Sequence, residues 1–232
     1  MGMDANRGRP DDARKSRRFG PSQAGVDAAQ GQTEAQVVAV LRSLLGRPRA
    51  TLRDAAHLAG APDDARVVVG MIPRHGRRAI EIHVASGAVR LQIWLYQRFD
   101  GKPVLENDQF DVVEGHRGRG IGAGVFGRQV EQARRLGVAE IQGYAARDDR
   151  IGDVGYLVWP LLGFDAALPR GMLDRLPRHL SGARNLSDLV GNLEGRQWWR
   201  EHGDSIAVVF DLAPHSRAVR WLRAYFRRKG LS

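Results

Sequence analysis

The segment Arg117-Gly118-Arg119-Gly120-Ile121-Gly122 carries the residue types needed to hold a phosphorylated ligand. It follows Val112-Val113, which reads as a strand end, and a helical periodicity begins at Ile121. Glycine reaches backbone dihedrals closed to other residues and lets a ligand come close. The first N–H groups of a helix have no partner inside it, and the helix dipole adds partial positive charge there. Arg117 and Arg119 add full charges. Together these features suit a diphosphate. The spacing is not the Gly-x-Gly-x-x-Gly of a dinucleotide fingerprint, and no Gly-Lys-Ser/Thr follows as in a P-loop.

Such a loop needs strands and helices to hold it. Val37, Val38, Val40, Leu41, Leu44 and Leu45 form a helical stripe ended by Gly46 and Pro48. Thr51 can cap a second helix, with Gly60 as its stop. Val67-Val68-Val69, then Ile80/Ile82/Val84, then Val89/Leu91/Ile93/Leu95 read as strands, and Asp100-Gly101 is a hairpin signal. A strand ending at Val112-Val113 completes an antiparallel meander. After the loop a helix is expected from Ile121 to Leu136, stopped by Gly137, and then a strand over Val138–Tyr144. Phe164–Leu168 and Ser205–Leu212 read as late strands. Residues 169–204 between them form a largely helical insertion containing Trp198 and Trp199. One of these tryptophans could line a substrate pocket or an interface, or both could belong to a small satellite core. The fold class is α+β, with a mixed, mainly antiparallel sheet flanked by helices.

The apolar fraction of 43% is enough for a packed core. There is no cysteine, which excludes disulfides, thiolate metal sites and a cysteine nucleophile. No metal site is read from the sequence. No apolar run is long enough to span a membrane, and the N-terminus lacks a signal-peptide core, so a soluble, cytoplasmic protein is expected. The net charge of +10 is unevenly placed: residues 1–20 carry +3 and residues 215–232 carry +6, while the body is nearly neutral. Only Lys15, Lys102 and Lys229 are lysines, so the arginine bias reads as base composition. Residues 1–31 read as a disordered basic tail, 32–214 as the domain, and 215–232 as a basic amphipathic helix with Val219, Leu222, Tyr225 and Phe226 on one stripe. The two basic ends admit weak, non-specific contact with nucleic acid. Docking of the apolar stripe on the domain is the plainer reading of the helix.

The spacing Val112, Arg117, Gly120, Gly122 resembles the cofactor motif of the GNAT acetyltransferases. Leu162-Gly163-Phe164 stands where that family's second motif ends, so the resemblance covers roughly residues 104–168. It implies a GNAT-like fold and acetyl-coenzyme A, or another acyl-coenzyme A, as cofactor. It also implies an N-acyltransferase acting on an amine acceptor that the sequence does not name. Asp111, Val112 and Val113 would pair with the pantetheine arm through their backbones. Gly118 to Gly124, thus Arg119, Gly120, Ile121, Gly122 and Ala123 between them, would supply amides to the pyrophosphate.

The resemblance places a general base at Glu106, with Asp108 on the same strand face two residues on. Both also fit a solvated hairpin end. Glu81 and His83 are weaker alternatives. The family's acid position is Trp159, which cannot protonate a thiolate near neutral pH, so Tyr156 one helical turn earlier is its substitute. The family's asparagine position is Gly152, and Pro160 disfavours a regular helix before it. Two other readings stay open. One is a catalytically inactive GNAT-fold module that contacts a protein or nucleic acid through its basic ends. The other is an unrelated α+β domain with a chance glycine loop.

Overall fold

Seven strands form one mixed sheet in sequence order in the computed structural model, which describes residues 22–147 and 155–231. They are β1 (Gly25–Ala28), β2 (Arg66–Met71), β3 (Ala79–Ala85), β4 (Val89–Gln97), β5 (Pro103–Val112), β6 (Glu140–Ala145) and β7 (Ile206–Asp211). The β1/β2 and β5/β6 pairs are parallel and the others antiparallel. The helices are α1 (Glu34–Leu45), α2 (Leu52–Leu58), α3 (Ile121–Leu136), α4 (Gly155–Leu162), α5 (Arg170–Leu173), α6 (Leu186–Val190), α7 (Leu193–His202) and α8 (Arg217–Lys229). The protein is therefore α+β, its sheet flanked by helices. Gly152 and most of the basic N-terminal segment lie outside the described residues. Among the described residues no helix is long and apolar enough to cross a membrane.

The alternation in the strands sets the two faces of the sheet. Val67, Val69, Ile80, Ile82, Val84, Leu91, Ile93, Leu95, Leu105, Ile141 and Phe210 join the helices in the core. The opposite face carries Glu81, His83, Gln92, Glu106 and Gln142, with a small apolar island of Ala79, Trp94, Tyr96 and Val104. The helix behind the glycine loop runs Ile121–Leu136 as its periodicity predicts, and Gly137 ends it in the left-handed region at φ 84°. Gly60 lets the end of α2 touch that helix directly. A Cβ there would lie 2.2 Å from the Val125 carbonyl oxygen, so only glycine fits.

Four expectations need correction. Residues 25–28 are not tail but the edge strand β1, in register with Arg66–Val69, and Ala24 beside it is fully buried. Main-chain pairing on the open edge of β2 needs no side-chain periodicity, so composition does not reveal it. Phe164–Leu168 is not a strand but two isolated bridges, Asp165 to Val209 and Ala167 to Asn185. The insertion is not a satellite core, because Leu180, Leu186, Leu189, Trp198 and Trp199 all join the main one.

Pro160 does not break the helix either: it sits inside α4. A proline leaves the carbonyl four residues earlier without its helical donor, here Tyr156. That carbonyl instead accepts the indole N–H of Trp199 at 2.7 Å, in a buried site. The insertion thus repairs the helix that proline interrupts. The C-terminal helix docks through Ala218, Val219, Leu222 and Phe226, and Trp221 donates to the Leu161 carbonyl at 3.1 Å.

Trp199→Phe keeps an aromatic ring, though a smaller one, and removes the donor. It is expected to lower stability by about 1–3 kcal/mol, the cost of an unsatisfied buried carbonyl, seen as a lower urea midpoint at unchanged slope. Adding Pro160→Ala should recover part of that loss, because alanine restores the helical N–H.

Candidate functional site

β5 and β6 stay together only where Val104–Asn107 face Glu140–Gly143. Beyond that point β5 continues along β4 to Val112, whereas β6 continues along β7. The strands part, and a cleft of about 1160 Å³ opens between them. Phe110, Val112, Tyr144 and Trp159 line it, and the glycine loop lies along it with Tyr225 of α8.

Two features set the parting. Gln92 pairs with Gln109 and Ile93 with Asn107, so Asp108 is an extra residue on β5. Such a bulge bends its strand and increases its local twist. Asn107, the last residue of β5 in register with β6, is buried and exchanges two hydrogen bonds with buried Gln129 of α3. Its amide donates at 3.0 Å and its carbonyl accepts at 2.9 Å. The pair ties the end of strand pairing to the helix behind the loop.

The loop begins with a 3-10 turn, Glu114–His116. Gly118 and Gly120 then take left-handed φ values of 73° and 76°, and no side chain caps α3. The amides of Ile121, Gly122 and Ala123 have no acceptor within the helix. Gly122 lies against β5, where a Cβ would come within 3.0 Å of Val112 Cγ2. Two expected contributors are already engaged: the Gly124 amide donates to the Gly120 carbonyl and the Val113 amide to the Ala88 carbonyl. Arg117 Nε donates to the Val112 carbonyl at 3.0 Å, which fixes that arginine beside the loop. Arg119 and Asp111 are exposed along the cleft, with the Asp111 carboxylate accepting from Gln109 at 2.6 Å.

Glu106 and Asp108 do share a side of the strand, as their spacing predicts. Arg74, on the hairpin between β2 and β3, donates through one Nη2 to Glu106 at 2.7 Å and to Asp108 at 2.8 Å. Its guanidinium lies 4.8 Å from the centre of the Trp94 ring. Burial pushes the Glu106 carboxyl up, but the hydrogen bonds and charge of Arg74, with help from His75, outweigh that and hold it below its ordinary value. The carboxylate is ionised but a weakened base. Beside it, burial and then the Glu106 charge push the Tyr96 hydroxyl up to about 12, so it stays protonated and donates to Gln142 at 2.9 Å. Asp108 lines the cleft and Glu106 does not. Glu81 accepts from Gln92 at 2.7 Å and lies 3.1 Å from His83, away from the cleft lining.

The other acid/base candidates separate. Trp159 forms a wall of the cleft, its ring edge-on to Phe110 at 5.2 Å. Tyr156 is buried outside the lining, and its hydroxyl donates to the Arg200 carbonyl at 3.2 Å. One turn of α4 carries it from the cleft side to the insertion side, so it is not placed to protonate anything in the cleft. Neither Trp198 nor Trp199 lines the cleft, and both are buried. Tyr144, an exposed phenol at the parting of the strands, went unmarked in the sequence. Only its position, on β6 just past the last β5 partner, singles it out. Among the described residues no cluster of three or more histidine, aspartate and glutamate side chains could hold a metal.

No protein-family model matches the chain, and no curated protein sequence matches it.

Asn107→Ala should cost about 1–3 kcal/mol, because Gln129 is left buried without its partners. The double replacement by leucine should cost much less, in a denaturant double-mutant cycle. A second outcome concerns pH. Glu106 is depressed in the folded chain. Its pairing therefore stabilises fully above the unfolded carboxylate range, about 4.3, and is lost as pH falls through the folded value. Arg74→Ala should destabilise the protein near neutral pH, with the gap from wild type closing in acid. A gap that does not vary with pH in denaturant titrations would show that the pair is not coupled.

Proposed function

We propose that the cleft binds an acyl-coenzyme A, acetyl in the first instance, and that the protein transfers the acyl group to an amine. The observation that carries this reading is the parting of β5 from β6 beside a glycine loop with free helix-start amides. Between Asp108 and Val112, β5 has lost its neighbour on one side, so an extended amide-bearing arm can pair there as a substitute strand. The diphosphate at its far end would accept from the amides of Ile121, Gly122 and Ala123. The thioester would then reach the region of Asp108 and Tyr144. The resemblance of the Val112–Gly122 and Leu162–Phe164 segments to the GNAT acetyltransferases supports the same ligand. The coarse order of elements supports it too.

The chemistry would be direct transfer. The amine nitrogen attacks the thioester carbonyl carbon, the carbon–sulfur bond breaks, and the thiolate takes up a proton. Asp108, which lines the cleft, is better placed than Glu106 to accept the amine proton, directly or through water. Tyr144 replaces Tyr156 as the hydroxyl nearest the departing sulfur's expected position.

One observation favours the inactive binding module instead. Arg74 already occupies both carboxylates, which leaves neither free for an incoming cation. Thiol release from acetyl-coenzyme A with a panel of amines separates the two readings. Turnover that falls by about a hundredfold or more in Asp108→Ala supports transfer. Binding without turnover supports the module.

Gly122→Val tests the site itself, because the added side chain presses on Val112 and narrows the groove. Calorimetry should show acetyl-coenzyme A affinity reduced more than about tenfold, with stability changed by only about 1–2 kcal/mol. Undiminished binding would exclude the cleft as the coenzyme site.

A further inference from the structure

The C-terminal helix does more than cover the sheet. Tyr225, Lys229 and Leu231 all line the cleft. Gly230 ends α8 in the left-handed region at φ 61°, and the Leu231 amide folds back to the Phe226 carbonyl at 3.0 Å. This reversal is a common helix ending, and it throws the next side chain against whatever lies beside the last turn. Here that is the glycine loop: a Cβ at Gly120 would lie 3.2 Å from Leu231 Cδ2. The last turn of α8 therefore abuts the loop, while the parting of the strands lies at the β5 side of the cleft.

We infer that α8 is part of the ligand site and that Lys229 supplies the positive charge for the ribose 3′-phosphate of coenzyme A. This rests on the coenzyme reading above. A ligand that pairs with β5 and lays its diphosphate on the loop leaves the loop against the last turn of α8. Its next charged group is the phosphate on the ribose. The other cations along the cleft are placed differently. Arg117 is tied to the Val112 carbonyl, Arg119 belongs to the diphosphate loop, and Arg90 sits on the strand side. Lys229 is exposed, faces the cleft, and has no carboxylate partner among the described residues. A flexible ammonium on the final turn suits a single phosphate, which needs charge more than a fixed fork.

The experiment is calorimetry of the full chain at low ionic strength, with coenzyme A and 3′-dephospho-coenzyme A as ligands. Wild type should bind coenzyme A roughly tenfold more tightly than the dephospho form. Lys229→Glu should lose that preference while binding the dephospho form as wild type does, and Lys229→Gln should lie between. Arg223→Glu, the same charge change on an exposed site of the same helix outside the cleft lining, should keep the preference. The inference is overturned if wild type shows no preference, or if Lys229→Glu retains it, and in both cases the coenzyme site stands. If wild type binds neither ligand, the coenzyme reading falls and this inference with it. Unchanged thermal unfolding of the variants shows that the readout concerns the site and not the fold.

Discussion

The buried exchange of hydrogen bonds between Asn107 and Gln129 is the constraint on which the cleft depends. Two primary amides that satisfy each other inside a core fix position more sharply than apolar contact does, since each is costly to leave unpaired. Asn107 stands at the last rung shared by β5 and β6, and Gln129 stands on the helix that begins at the glycine loop. One pair therefore sets both where the strands stop pairing and how the helix start is aimed. The Asp108 bulge next to it turns β5 away, and the fan of Phe110, Trp159, Phe126 and Phe164 fills the space behind.

The electrostatics of the two sheet faces differ in kind. On the core side, the cleft offers unsatisfied amides and a helix dipole, which are fixed partial charges that need no counter-ion and suit an anion. On the other side, Glu106 is a full charge already balanced by Arg74, which also reaches Asp108 at the edge of the cleft, with Trp94 behind the guanidinium. A ligand in the cleft meets a prepared surface. An acceptor approaching the opposite face meets a closed ion cluster that it must enter or rearrange.

Much of this was legible in the sequence where the signal is local. The bounds of the loop helix, the hairpin at Asp100-Gly101 and the docking stripe of the C-terminal helix follow from periodicity and glycine placement, and the structure has them there. What stayed hidden depends on register or on distant partners. The bulge at Asp108 exists only in relation to Gln92 and Ile93 across the sheet. Arg74 reaches the acidic pair from a hairpin more than thirty residues away. Tyr144 and Tyr156 carry the same phenol, and only the geometry of β6 and α4 shows which one meets the cleft. β1 escaped because a parallel edge strand is held by its backbone, and the backbone has no composition.

The Trp199 indole that satisfies the carbonyl freed by Pro160 has a consequence for how this sequence can vary. The insertion looks like a module that could be shortened, exchanged or lost while the sheet remains. It is instead keyed into the body by leucines and tryptophans that belong to the main core, and by one hydrogen bond whose need arises forty residues earlier. A lineage that drops the tryptophan while keeping the proline carries an unsatisfied buried carbonyl in the helix beside the cleft, whereas one that first replaces the proline no longer needs a donor at that position of the insertion. The order of those two changes, rather than either alone, sets how much stability an intermediate descendant of this chain gives up.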